Sequence, residues 1–150
     1  MFGGGAVYAT VLGIATSELA RSPIRVSPVA VPAGFPSPAQ DYYDGELSLD
    51  DHLITDRAAT FIVRVAGHSM HDAGIWDGDE LLVDRSKTPR DGDVVVAILD
   101  GELTVKRLRV TPTGVVLQAD NAEHPDIVVP ELSDLQIFGV ATFGIRHLRG

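Results

Sequence analysis

The chain has 150 residues and no cysteine. This absence excludes disulfide bonds, metal sites built on thiolates and a cysteine nucleophile together. It does not indicate a compartment, because a protein without cysteine can function in oxidising or reducing surroundings.

Long apolar runs are also missing. No stretch reaches the roughly 18 apolar residues that a membrane-spanning helix needs. The N-terminal run GGGAVYATVLGIAT is apolar, but the first basic residue of the chain, Arg21, comes after it. A secretory signal peptide normally has its positive charge ahead of the apolar run. We therefore expect no signal peptide, no membrane association and a cytoplasmic location.

Basic residues are scarce relative to acidic ones. Twelve Lys and Arg stand against 21 Asp and Glu, which gives a net charge of −9 at pH 7. Affinity for nucleic acid comes largely from neutralising phosphates. A surface of this charge repels duplex DNA, so we expect no direct DNA binding and favour a protein partner.

Alternating apolar residues and frequent turn residues predict a mainly β fold. Fifteen Gly and nine Pro are typical of a chain with many turns. The run VVVAIL predicts a strand buried on both faces, and Asp100-Gly101 predicts a two-residue hairpin after it. We expect about seven short strands, in the segments TFIVRVAG, ELLVD, VVVAIL, LTVKRLRV, GVVLQA, DIVV and LQIFGVATFGI.

Composition divides the chain near residue 45. We expect a β domain over residues 46–150, preceded by an N-terminal arm over residues 1–33 and a tether over 34–45, where the boundary at 33 is what the resemblance described below implies. Between Pro23 and Pro38 the sequence PIRVSPVAVPAGFPSP holds five prolines, which excludes a helix or a central strand there. The arm is expected to be flexible, with a short helix over residues 6–20. Within the domain, helical pieces are expected only after Ser69 and within residues 39–54.

Ser69 is a candidate nucleophile in the segment AGHSMHDAGIWDGD. Gly67 lets the backbone bend sharply before it, and a serine at the start of a helical turn has amide groups nearby that can stabilise an oxyanion. The amides of Ser69 and Met70 are the candidate donors. The spacing of Ser69 and Asp72 equally fits an ordinary helix cap, and both interpretations remain open on this segment alone.

Lys106 is a candidate base in the segment LTVKRLRV. Strand alternation places it on one face with Thr104, Leu108 and Val110, which is the more apolar face. Burial lowers the pKa of a lysine, and a neutral amine can take a proton from a serine hydroxyl. The alternative is a strand lysine whose stem covers apolar surface while its charge reaches water.

Other residues that could carry chemistry have simpler explanations. His68 and His71 flank Ser69, but His-x-x-His lacks further ligands at a fixed spacing, so we expect no metal site and no cofactor. The aspartates of the acidic turns lack the spacing of a calcium loop and are expected to form turns. The dipeptide Ala33-Gly34 lies in the proline-rich segment, where a small residue followed by glycine fits a narrow cleft.

Taken in order, three segments resemble the LexA/UmuD family of self-cleaving serine peptidases, and most closely its UmuD-like members. The segment GFPSPAQDY at 34–42 resembles the sequence after the cleavage site, and GHSMHDAGIWDGDELLVD at 67–84 resembles the nucleophile motif. The segment GDVVVAILDGELTVKRL at 92–108 resembles the lysine motif. The spacing agrees, with 36 residues from Ala33 to Ser69 and 37 from Ser69 to Lys106.

The resemblance implies a fold, a reaction and partners. The fold is a LexA/signal-peptidase-like β domain. Ser69 is the nucleophile, Lys106 the general base and acid, and Ala33-Gly34 the bond cut. A RecA filament on single-stranded DNA stimulates the reaction. The shortened homodimer then joins a UmuC-like polymerase subunit in translesion synthesis during the SOS response to DNA damage.

Two features depart from the family pattern, and three other classes remain alternatives. Pro32 removes an amide next to the expected cleavage site, and residues 1–30 have little similarity to the family's arm. A signal peptidase would need a membrane anchor. A LexA-type or phage repressor would need a DNA-binding part ahead of the domain. A noncatalytic binding module could keep the same fold.

Overall fold

The computed structural model describes residues 23–27, 30–36, 38 and 45–150. The chain divides into two compact units between Thr55 and Asp56. The helix expected over residues 6–20 lies outside the described residues, and the three predicted segment boundaries stay predictions. None of the described helices is long and apolar enough to cross a lipid bilayer.

In its described residues, the N-terminal unit contains a two-stranded sheet and one short helix. Strand β1 (Ile24–Arg25) pairs antiparallel with β2 (Glu46–Leu47). Helix α1 (Leu49–Leu53) follows and lies within the range predicted to be helical. Ser48 caps it, because the hydroxyl accepts a hydrogen bond from the Asp51 amide that the helix itself leaves free. The proline-rich segment forms neither a helix nor a central strand in its described residues.

The C-terminal unit is a seven-stranded antiparallel sheet, which confirms the mainly β prediction. Along the sheet the strands follow the order β3-β4-β9-β5-β6-β7-β8, so the last strand lies between β4 and β5. Strands β6 and β9 have 10 and 11 residues and are longer than the short strands expected. The strand bounds are β3 (Thr60–Arg64), β4 (Glu80–Asp84), β5 (Val94–Leu99), β6 (Glu102–Thr111), β7 (Gly114–Gln118), β8 (Ile127–Val128) and β9 (Leu135–Ile145).

The turns form as their residues predict. Asp100 and Gly101 have φ angles of 48° and 84°, the left-handed conformations that a tight hairpin between β5 and β6 requires. The Asp91 carboxylate accepts a hydrogen bond from the Val110 amide, and Asp93 accepts one from the Arg90 amide. Aspartates in these turns therefore bind backbone amides of the same domain.

Strand β5 is buried on both faces, as its unbroken apolar run predicts. Val95 and Ala97 are fully buried in one core cluster, and Val96 packs in a second. Burial on both sides explains why β5 carries no alternation of apolar and polar residues. The first cluster contains Val95, Ala97, Leu108, Leu117 and Val140, and the second contains Val65, Leu81, Val83 and Val96.

Gly139 allows β9 to pack closely against β4. A Cβ atom at this position would lie 2.6 Å from Cγ1 of Val83 and 3.2 Å from the Asp84 carbonyl oxygen. Val83 is fully buried and its branched side chain has little freedom to move. The site therefore has no room for a side chain.

We expect Gly139→Ala to lower the free energy of unfolding by about 1–3 kcal/mol, the usual cost of overpacking a core. Gly144→Ala is the matched control on the same strand, since its Cβ would meet Leu81 at an ordinary 3.7 Å. Urea denaturation of both variants at neutral pH measures the difference. Equal stability of the two variants would contradict the close approach at Gly139.

Candidate active site

A glycine turn and a buried methionine fix the loop that carries Ser69. After β3, the chain bends at Gly67, which has a φ of 94° and donates its amide to the Asp77 carboxylate at 2.7 Å. Met70 follows the serine and is only 2% exposed. A short 3₁₀ helix (His71–Ala73) begins directly afterwards. Ser69 is therefore held, half-buried, between two anchored positions.

Lys106 reaches Ser69 from β6. Its Nζ atom lies 3.1 Å from Ser69 Oγ and also donates to Thr104 Oγ1 at 2.8 Å and to the Val105 carbonyl oxygen at 3.2 Å. The strand fixes Lys106 by pairing it with Val95 of β5, which is fully buried. The structure thus brings together two residues that are far apart in sequence.

Burial shifts the protonation equilibrium of Lys106 towards the neutral amine. Desolvation lowers the pKa of Lys106 below its ordinary value, because partial removal of water disfavours the ammonium form. Its hydrogen-bond partners in the described part of the chain, the Ser69 hydroxyl, the Thr104 hydroxyl and a backbone carbonyl, carry no negative charge. A lysine in these surroundings can lose its proton more easily than an exposed one and then accept the proton of a neighbouring hydroxyl.

Two amide groups adjoin the serine hydroxyl without an acceptor. Within the described part of the chain, neither the Ser69 amide nor the Met70 amide donates a hydrogen bond. Backbone amides are usually paired, and free ones beside a nucleophile suit a developing oxyanion. These are the two donors that the sequence suggests, and their role stays a proposal.

Ser69 does not cap the helical turn after it. The 3₁₀ helix has its N-cap at Met70, and no side chain makes a capping hydrogen bond there. The Asp72 amide donates instead to the Asp120 carbonyl oxygen at 2.7 Å. The cap interpretation of Ser69 and Asp72 is therefore wrong, and the hydroxyl is left to interact with Lys106.

The flanking histidines interact with each other. Nδ1 of His68 lies 2.9 Å from Nε2 of His71, and the His71 ring stacks on Trp76 at a centroid distance of 3.9 Å. Neither ring makes a hydrogen bond to Ser69 or Lys106, which are themselves fully described. Among the described residues, no group of three or more His, Cys, Asp or Glu is arranged to hold a metal ion.

Ala33 and Gly34 lie in the N-terminal unit and are exposed. Phe35, the next residue, is 91% exposed. A peptide bond must be exposed to enter a cleft. Proline-rich segments are commonly exposed, so this observation does not by itself identify a cleavage site. The assignment of Ala33-Gly34 as the bond cut stays a prediction.

Comparison with known proteins identifies the class of protein. The family model described as Peptidase S24-like matches residues 25–142. The chain therefore belongs to the Peptidase S24-like family, whose general activity is that of a serine peptidase.

Individual relatives are similar over most of their length. The chain is 48% identical to the protein SamA of Salmonella typhimurium over 118 residues, which cover 79% of this chain and 81% of SamA. It is 44% identical to ImpA of Escherichia coli over 117 residues, with 78% and 79% covered, and 40% identical to MucA of Escherichia coli over 115 residues, with 77% and 79% covered. These similarities confirm the resemblance to UmuD-like proteins and support membership of the SOS mutagenesis family.

Two residues of the site were not predicted from the sequence. Thr104 shares the strand face of Lys106, so alternation could have indicated its contact with the amine. Asn121 donates from Nδ2 to the His68 carbonyl oxygen at 2.7 Å. Because 53 residues separate these two positions, no local pattern signals the contact.

We expect Lys106 to titrate below the range of an ordinary lysine, because burial destabilises its ammonium form. The ¹³Cε chemical shift of Lys106, followed against pH in the uncut Ser69→Ala variant, measures its pKa. The sequence holds two lysines, so the added substitution Lys87→Ala assigns the signal. A titration of Lys106 within the ordinary range would exclude a desolvated amine.

Proposed function

We propose that this protein is a self-cleaving serine peptidase of the SOS response, which uses Ser69 and Lys106 to cut its own chain between Ala33 and Gly34. The observation that carries the proposal is the 3.1 Å contact between Lys106 Nζ and Ser69 Oγ, made by an amine whose pKa burial lowers. Membership of the Peptidase S24-like family supports it.

The reaction follows from this contact. Neutral Lys106 takes the hydroxyl proton of Ser69, and Oγ attacks the carbonyl carbon of Ala33. The amides of Ser69 and Met70 stabilise the oxyanion that forms. The Lys106 ammonium returns the proton to the nitrogen of Gly34, the peptide bond breaks, and an ester between Ala33 and Ser69 remains. Water, activated by the amine, hydrolyses that ester and frees the serine.

The substrate is part of the protein, which removes the need for affinity towards other peptides. Holding both reactants on one chain, or within one dimer, raises their effective concentration. We further propose that docking of the segment around Ala33-Gly34 excludes water and completes the burial of Lys106. Cleavage would then depend on how often that segment occupies the site, which gives an external activator a step to control.

The family also suggests the context of the reaction. By analogy with UmuD-like proteins, a RecA filament on single-stranded DNA promotes docking and cleavage in the cytoplasm. The shortened protein forms a homodimer and joins a UmuC-like subunit of an error-prone polymerase for translesion synthesis. The net charge of −9 favours a role through protein partners over direct binding to DNA.

We expect the purified protein to cut itself faster as pH rises, because a larger fraction of Lys106 becomes neutral, and to reach a plateau above the Lys106 pKa. Because that pKa is lowered, the rise begins below the range of an ordinary lysine. Mass spectrometry after alkaline incubation should detect the 117-residue product from Gly34 to Gly150.

Ser69→Ala and Lys106→Ala should each stay intact under the same conditions, and Lys87→Ala, which removes the exposed lysine, should cut like the wild type. Clean cutting by Ser69→Ala or Lys106→Ala would refute the dyad. A wild-type chain that stays whole across the full pH range would instead indicate a noncatalytic module with the same fold.

Pro32→Ala should accelerate self-cleavage. Proline has no amide hydrogen, so a docked segment lacks one strand-like hydrogen bond beside Ala33. A hydrogen bond contributes about 0.5–1.5 kcal/mol, which corresponds to roughly a two- to tenfold higher rate if it forms in the transition state. Pro23→Ala, further from the bond, is the control. A rate for Pro32→Ala that equals this control would show that the missing amide is unimportant.

A further inference from the structure

The loop after β7 makes hydrogen bonds to the backbone both before and after Ser69. Before the serine, the His68 carbonyl oxygen accepts a hydrogen bond from Asn121 Nδ2 at 2.7 Å. After it, the Asp72 amide donates to the Asp120 carbonyl oxygen at 2.7 Å. Two consecutive residues of one loop therefore fix the backbone on either side of the hydroxyl.

The side chain of Asn121 has a defined orientation. Its Oδ1 atom accepts a hydrogen bond from the Glu123 amide at 3.0 Å, which leaves Nδ2 to face His68. Asparagine suits this position because one side chain supplies an acceptor and a donor. Ionised aspartate would keep the acceptor, lose the donor and place a negative charge against the carbonyl oxygen.

The loop is in turn attached to β6 next to Lys106. Arg107 donates from Nε to Asp120 Oδ2 at 2.7 Å, and its Nη1 atom donates to the Gly92 carbonyl oxygen. Asp120 also accepts a hydrogen bond from Gln118 Nε2 at 2.8 Å. The same short loop thus contacts the neighbour of each member of the serine–lysine pair.

We propose that Asn121 is a positioning residue that sets the direction and polarity of the Ser69 N–H, an inference that rests on the proposed function. The His68 carbonyl and the Ser69 N–H belong to one planar trans peptide and point in opposite directions. Holding the carbonyl oxygen therefore fixes where the N–H points. A hydrogen bond accepted by the carbonyl also polarises the N–H of the same peptide.

The Ser69 N–H is available as a donor, and this availability explains how its fixed direction could serve catalysis. That amide has no acceptor within the described residues, although the carbonyl of its own peptide is firmly bound. A fixed and polarised donor with no partner costs no reorganisation when an oxyanion develops. Asn121 acts through the peptide and does not contact the reacting atoms.

The first experiment measures self-cleavage of Asn121→Ala and Asn121→Asp against pH. Loss of one oxyanion donor costs about 10²–10³ in rate. Because the Ser69 amide is misdirected and not removed, we expect the plateau rate to fall by about tenfold or more. The pH midpoint should stay at the wild-type value, since Asn121 does not touch Lys106.

The midpoint distinguishes positioning from general loosening of the turn. A merely structural role would let water reach the amine and move the midpoint up, towards that of an exposed lysine, and this result would overturn the inference. An unchanged plateau rate would overturn it as well. Thr142→Val is the matched control, because it removes another donor to a backbone carbonyl, that of Leu82, and should keep the wild-type rate.

The second experiment detects the peptide directly. In the uncut Lys106→Ala background, Asn121→Ala should shift the Ser69 amide proton resonance in an ¹H–¹⁵N spectrum. The His68 carbonyl then loses the shorter of its two hydrogen bonds, at 2.7 Å, and keeps the one from the His71 amide at 3.4 Å. Thr142→Val should leave the resonance in place. An unmoved Ser69 resonance in the Asn121 variant would overturn the inference.

The two experiments separate this inference from the function on which it rests. If the wild-type chain never cuts itself, the proposed function fails and with it the catalytic purpose of Asn121. The Ser69 amide resonance then still shows whether Asn121 controls the direction and polarity of the Ser69 N–H. If the wild type cuts and the Asn121 variants cut equally well, the inference alone fails.

Discussion

The structure of this site depends on the energetic cost of placing an amine where water is partly excluded. Among the residues that the structure describes, Lys106 has only neutral hydrogen-bond partners, two hydroxyl groups and a carbonyl oxygen. With no carboxylate to stabilise the ammonium form, burial acts in one direction and lowers the pKa. A carboxylate beside the amine would stabilise the ammonium form, raise the pKa and leave little neutral amine to accept a proton.

The sheet supplies the rigidity that this amine requires. Lys106 lies on the long strand β6, whose neighbours β5 and β7 contribute fully buried residues to one core cluster. The serine comes from a loop and depends on a glycine turn, on buried Met70 and on hydrogen bonds from the loop after β7. One partner is therefore fixed by packing and the other by polar contacts, which are easier to alter without loss of the fold.

Local patterns predicted the strands well, because alternation, buried runs and turn residues act over a few neighbouring positions. The resemblance of three ordered motifs to a known family predicted that Ser69 and Lys106 act together, and their side chains lie in contact. Local reasoning failed where a distant contact decides the outcome. Ser69 and Asp72 have the spacing of a cap, yet the hydroxyl accepts from Lys106, 37 residues away. Asn121 gave no signal because its partner lies 53 residues earlier.

The position of β9 in the sheet has a consequence during protein synthesis. In the hydrogen-bonded sheet, β9 alone joins the strands β3 and β4 to the strands from β5 to β8. Ser69 lies in the connection between β3 and β4, and Lys106 belongs to β6 of the second group. A nascent chain cannot complete this arrangement until Leu135–Ile145 has left the ribosome. Under the proposed function, the order of translation would therefore delay self-cleavage until the domain has folded.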